Sequence, residues 1–183
     1  MKHDRDAATL ASIEQRLEAR EEIRDLVARY GVAIDDRDWE TLASLYAPDA
    51  VFDSTGPAAH GREAVVDYVR CCTADYSASY HYPHSHEIIV DDAGQATGLV
   101  CAHADLVIDG EAVWIALRYD DQYRCIDGRW HFHQRVTSML YILKLSELPT
   151  GVADGMRLRW PGEAPQCAHL GADVNRRWPD TGS

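Results

Sequence analysis

The stretch Ala112–Leu145 reads AVWIALRYDDQYRCI, then Asp127-Gly128, then RWHFHQRVTSMLYILKL. Two β-rich segments, Ala112 to Ile126 and Trp130 to Leu145, meet across an Asp-Gly pair. That dipeptide tolerates the positive φ angles of a two-residue hairpin turn, so it predicts antiparallel pairing. Working outward, Tyr80 to Val90 and Ala96 to Ile108 have the same β-rich character. Asp91-Asp92-Ala93-Gly94 and Asp109-Gly110 punctuate them, giving a four-segment meander.

The first part of the chain has a different period. From Thr9 to Asp35, Ile13, Leu17, Ile23, Leu26, Val27, Tyr30 and Ile34 recur at helical spacing, with charged residues opposite. Asp38 is placed to cap a short second helix carrying Trp39, Leu42, Leu45 and Tyr46 and stopped at Pro48. Ala50 to Asp53 reads as a short strand, and Gly61-Arg62 introduces a third helix through Val65, Tyr68 and Val69. Helices followed by an antiparallel meander is an α+β order. A curved sheet with helices across its concave side would enclose a pocket.

Composition narrows the function classes. The chain has 183 residues, 46% hydrophobic and 26% charged, which suits one domain with a substantial core. A net charge of −12 argues against nucleic acid and anionic membranes. No apolar stretch approaches the ~20 residues of a membrane-spanning helix, and Met1 to Asp6 lacks a signal-peptide core, so a cytoplasmic location is expected. The five cysteines, Cys71, Cys72, Cys101, Cys125 and Cys167, lack metal-ligand spacing and read as reduced thiols. Residues 146–183 are rich in Pro and Gly, with Trp160 and Trp178 among them. This extension of the 1–145 domain reads as a pocket lid, a subunit-contact arm or a loosely ordered tail, the tryptophans favouring docking over disorder.

The layout resembles the SnoaL-like branch of the nuclear-transport-factor-2-like superfamily. The residues that carry the resemblance are Ile23-Arg24-Asp25-Leu26 through Tyr30, Ile34-Asp35-Asp36-Arg37-Asp38-Trp39, and Leu45 through Phe52. Gly61-Arg62-Glu63-Ala64, His81, Ala96-Thr97-Gly98, and Tyr123 with Asp127-Gly128-Arg129-Trp130 complete it. It spans about Leu10 to Leu145 and implies a cone-shaped α+β barrel. Within the branch the chain looks like scytalone dehydratase, bile-acid 7α-dehydratase and hexachlorocyclohexane dehydrochlorinase. The resemblance implies a cofactor-independent lyase in which His81 is the base and Asp35 orients it.

It also places a tyrosine at Tyr30, to donate a hydrogen bond or proton, and at Arg135 an arginine that helps a leaving group depart. Strand alternation would put His131, His133, Arg135, Thr137 and Met139 on one face. Phe52, Ser54, Ala104, Tyr119, Thr137 and Met139 are the expected substrate contacts. Departures from the relatives fall at Ser54, Ala104, Leu106 and Met139, so the groups that grip substrate differ.

Each site residue has a plainer reading. Asp35 would be a helix-terminal carboxylate, His81 an exposed strand histidine, Tyr30 a core aromatic, and Arg135 half of a structural ion pair. His84 and His86, read by alternation as sharing the face opposite His81, invite a metal, but the family chemistry implies none. His103 and Asp105 read as outward-facing.

The expected substrate is a hydroxylated aromatic, steroid or polyketide-type small molecule. Retro-aldol release of formaldehyde from an aryl diol, ketosteroid-type isomerisation, epoxide hydrolysis (which needs Asp105 turned inward) and ligand binding without chemistry are the alternatives. The resemblance further implies a homo-oligomer, a trimer before a dimer.

Overall fold

A computed structural model describes residues 2–91 and 94–169. Helix α1 (Lys2–Asp35) precedes α2 (Trp39–Ser44), β1 (Tyr46–Asp53), β2 (Ala59–His60) and α3 (Arg62–Cys72). The meander follows as β3 (Tyr76–Val90), β4 (Gln95–Ile108), β5 (Glu111–Ile126) and β6 (Arg129–Lys144), with α4 (Leu148–Gly151) beyond it. The six strands form one sheet in the order β2-β1-β6-β5-β4-β3. All neighbours are antiparallel except β1 and β6. The sheet curls around the helices and stays open between β2 and β3, the α+β cone expected from the element order.

Both Asp-Gly turns have left-handed backbone at each position: Asp109 at φ 52° and Gly110 at 78°, Asp127 at 51° and Gly128 at 76°. This conformation matches the twist of the flanking strands. Helix α1 packs its stripe from Ala19 onward, with Ile23, Leu26, Val27, Tyr30 and Ile34 buried, whereas Ile13 and Leu17 remain exposed. Asp38 caps α2 through a 2.9 Å bond accepted from the Thr41 N–H. That helix ends at Ser44, earlier than its apolar positions suggest, because Pro48 disfavours helical backbone before it and Tyr46 already belongs to β1. The two-residue β2 has no counterpart in the sequence reading.

Two bulges re-aim side chains. Pro83 opposes Ala102 and His86 opposes Val100, so His84 and Ser85 together face one residue, Cys101. On β6, Gln134 opposes Gln122 but Phe132 opposes Tyr123, leaving His133 as the extra residue. A bulge shifts alternation by one, and both shifts change which histidines look inward.

β1 runs beside only the first half of β6. Beyond it, the chain after α4 takes over the open edge. Arg159 donates to the Ile142 carbonyl, Ile142 to the Arg157 carbonyl (both 2.9 Å), and His169 to the Met139 carbonyl (3.1 Å). Trp178 lies outside the described residues. Among the described residues, no helix is long and apolar enough to cross a membrane.

Candidate active site

The last turn of α1 and the first half of β3 meet at Gly31. A Cβ there would sit 3.2 Å from that of His81, tighter than ordinary contact, so glycine permits this approach. The contact brings Asp35 onto His81. The His81 ring Nδ1–H donates to Asp35 Oδ1 at 2.6 Å, and the His81 backbone N–H donates to Oδ2 at 2.8 Å. Because a carboxylate only accepts, Nδ1 carries the proton and Nε2 is left with its lone pair. Burial pushes the Asp35 carboxyl up, but the hydrogen bonds from the His81 ring and backbone outweigh it, and its pKa lies below the usual value.

Arg37, just past the helix in left-handed backbone (φ 58°), fixes the geometry from outside. Its guanidinium donates to the Ile34 carbonyl (2.9 Å), the Tyr76 carbonyl (3.2 Å), Ser79 Oγ (3.3 Å) and the Thr73 carbonyl (3.4 Å). Helix end, α3 end and β3 start are thereby tied together.

His81 lines a cavity of about 330 Å³ between the helices and the concave sheet face. Tyr30 and Ile34 of α1, Phe52 of β1, and Ala104, Leu106, Ile115, Leu117, Tyr119, Thr137 and Met139 of the meander form its inner walls. Ser54 and Thr55, then Tyr68, Cys72 and Asp75 from α3 and the turn after it, with Tyr76 at the start of β3, surround the outer part. Trp160, Pro161 and Glu163 complete the lining from the C-terminal segment. Burial raises the phenols of Tyr30 and Tyr119 above their ordinary value despite the pull of the nearby Arg135 guanidinium. Both therefore remain proton donors at neutral pH.

A sequence model described as a SnoaL-like domain matches residues 15–136, more than half of the chain. The chain belongs to the SnoaL-like domain family. Among solved structures, LinA, a hexachlorocyclohexane dehydrochlorinase, superposes on this SnoaL-like domain with a TM-score of 0.70 at 24% identity, covering 74% of this chain and 95% of LinA. A protein put forward as a scytalone dehydratase in Novosphingobium aromaticivorans gives 0.66 at 19% identity, covering 71% and 89%. An NTF2-like protein with a cystatin-like fold from the same bacterium gives 0.60 at 28% identity, covering 72% and 88%. These likenesses concern the fold.

Within this SnoaL-like domain the cavity gathers nearly every residue singled out in the sequence. Tyr30, Phe52, Ser54, His81, Ala104, Tyr119, Thr137 and Met139 all line it, and Asp35 stands behind His81. Arg135 does not line it. Its guanidinium is fully buried behind the wall, 4.0–4.2 Å from the ring centres of Tyr119, Phe132 and Tyr30. Nε and Nη2 donate to the Asp121 carboxylate at 2.8 and 2.6 Å. Burial opposes the charge on Arg135, but the adjacent carboxylate more than compensates and its pKa lies above the ordinary value.

The structural ion pair is thus the arrangement found. Its partner Asp121 was not legible from sequence, since pairing across β5 and β6 depends on a register that the bulge alters. Asp121 also accepts from the Tyr123 hydroxyl at 2.7 Å, which in turn accepts from His86 Nε2–H at 3.0 Å.

The histidine faces need correction. His86, read as sharing a face with His84, points inward to Tyr123, whereas His84 stacks on His103 outside. The two residues of the β3 bulge cause this. His131 and His133, read as sharing a face with Arg135, do not. His133 contacts Arg124 and Asp49, while Phe132 joins Arg135 in the core. Asp105 stays beside His103 on the outer side, as its parity opposite Ala104 required. Among the described residues no group of three or more His, Cys, Asp or Glu is placed to hold a metal ion.

Proposed function

We propose that this chain is a cofactor-independent lyase of dehydratase-like type acting on a largely apolar hydroxylated ring compound. One observation carries the reading: a histidine whose Nδ1 is locked on a carboxylate lines an otherwise mostly apolar cavity. His81 Nε2 takes a proton from an activated carbon. The C–H electron pair becomes a double bond as the β-leaving group departs with its own pair. Asp35 stabilises the imidazolium that forms, and the Tyr30 phenol supplies a proton or hydrogen bond to the departing oxygen. Return of the His81 proton to that phenol through water closes the cycle, with water as co-product when hydroxide leaves. LinA, whose name describes loss of hydrogen chloride from hexachlorocyclohexane, lends support by likeness of fold. Trp160 and Pro161 act as a lid that keeps bulk water from the reacting carbon.

Retro-aldol cleavage and isomerisation draw on the same base, so products decide among them. Epoxide hydrolysis through Asp105 is disfavoured by its outward position. The test is incubation of the full chain with hydroxylated steroids, aryl diols and polyketide-like phenols, with products resolved by mass. Loss of water is expected. Formaldehyde release would reassign the enzyme as a retro-aldol lyase, an unchanged mass with a moved double bond as an isomerase, and binding without turnover across the panel would overturn the enzyme reading.

A further inference from the structure

Every substrate placed in the cavity has to contend with its charges, and these are one-sided. Among the described residues, no lysine or arginine lines it. Arg135 sits behind Tyr30 and Tyr119 and is already neutralised by Asp121. The two lining carboxylates, Asp75 after α3 and Glu163 in the C-terminal segment, come from different parts of the chain and are both solvent-exposed, which puts them at the mouth. Further in, Thr137 is only 6% exposed and its Oγ1 has no hydrogen-bond partner among the described residues. A buried hydroxyl without a partner costs stability unless something else satisfies it. An anion entering here would cross two like charges and then lose its hydration with no lysine or arginine among the described lining residues to pair with.

We propose that this cavity selects uncharged substrates, Asp75 and Glu163 turning anions away at its mouth and Thr137 donating to a neutral hydroxyl or carbonyl oxygen within. The inference rests on the reading of the cavity as the substrate site and adds a class to it. Carboxylic acids, phosphate esters and coenzyme thioesters are excluded, and ring alcohols, phenols and ketones are admitted. At about 330 Å³ the cavity is near the small end of ligand pockets, which suits a few fused rings.

The test is titration calorimetry on the full chain with three probes of one size: 2-naphthylmethanol, 2-naphthoate and 2-naphthylmethylammonium. The alcohol is expected to bind at least roughly tenfold more tightly than the carboxylate. In D75N/E163Q that gap should narrow by roughly threefold or more, because exposed charges are partly screened. Thr137→Val should weaken the alcohol by roughly three- to tenfold. Equal binding of carboxylate and alcohol, a gap unmoved in D75N/E163Q, tightest binding of the ammonium probe, or no binding by any probe would each overturn the proposal. The same ranking in His81→Ala, measured beside turnover, separates this inference from the lyase reading: selectivity should persist there when chemistry is lost.

Discussion

Replacing Arg135 by methionine removes one half of a fully buried ion pair and leaves the other in place. Asp121 would keep only the Tyr123 hydroxyl of its three recorded side-chain hydrogen bonds. An uncompensated buried carboxylate costs about 3–5 kcal/mol, whereas a well-packed apolar replacement of the whole pair is close to neutral. For a chain of this length each kcal/mol moves Tm by about 2–4 °C, so Arg135→Met should melt about 6–20 °C below wild type. Urea denaturation with unchanged slope would locate the loss in stability rather than in the unfolded state. The double variant Arg135→Met/Asp121→Leu should recover most of it, since the charge left unpaired is what destabilises. A single variant within 1 kcal/mol of wild type, or a double variant no more stable than the single, would refute the reasoning.

Gly31→Ala adds a methyl 3.2 Å from His81 Cβ and should lower kcat at least roughly tenfold by displacing the dyad, with the helical circular-dichroism signal preserved. An unchanged kcat would mean that β3 gives way without disturbing the site. His86 is depressed to about 4, with burial as the main cause; the Asp121 carboxylate opposes the fall and the Arg135 guanidinium adds to it. Between the ordinary 6.5 and about 4 the unfolded chain therefore binds a proton that the folded chain refuses, and stability falls as pH drops through that window. Urea midpoints at pH 7.5 and 5 should show this fall, and His86→Gln should reduce it. Arg37→Ala should destabilise more than Arg37→Gly, by about 1 kcal/mol, because only glycine relieves the left-handed backbone while both lose the same four hydrogen bonds. Equal denaturation midpoints for the two would remove any strain at that position.

The meander and the dyad were legible for different reasons. Asp-Gly turns report local backbone preference, so Asp109-Gly110 and Asp127-Gly128 marked the hairpins without knowledge of the rest. His81 and Asp35 are 46 positions apart and no local rule joins them; family resemblance did. What stayed hidden needs a partner strand to define it. A bulge is a mismatch between two strands, so neither the inward turn of His86 nor the removal of His133 from the Arg135 face could be read along one strand. Asp121 looks like any polar strand residue until β6 places a guanidinium on it. Asp75, Tyr76 and Glu163 carry no motif and reach the cavity only through the packing of α3 and the C-terminal segment. Gly31 did leave a signal, an isolated glycine on the packed half of a long helix, which often marks close approach by another element.

The central claim is that His81 removes a carbon-bound proton while Asp35 holds its ring. Steady-state rates of wild type, His81→Ala and Asp35→Asn on the compound that the wild-type chain turns over fastest in the panel test it most directly. The account predicts a kcat loss of at least roughly 10²-fold for each variant, with folding intact by circular dichroism. Either variant retaining more than a tenth of the wild-type rate would contradict it.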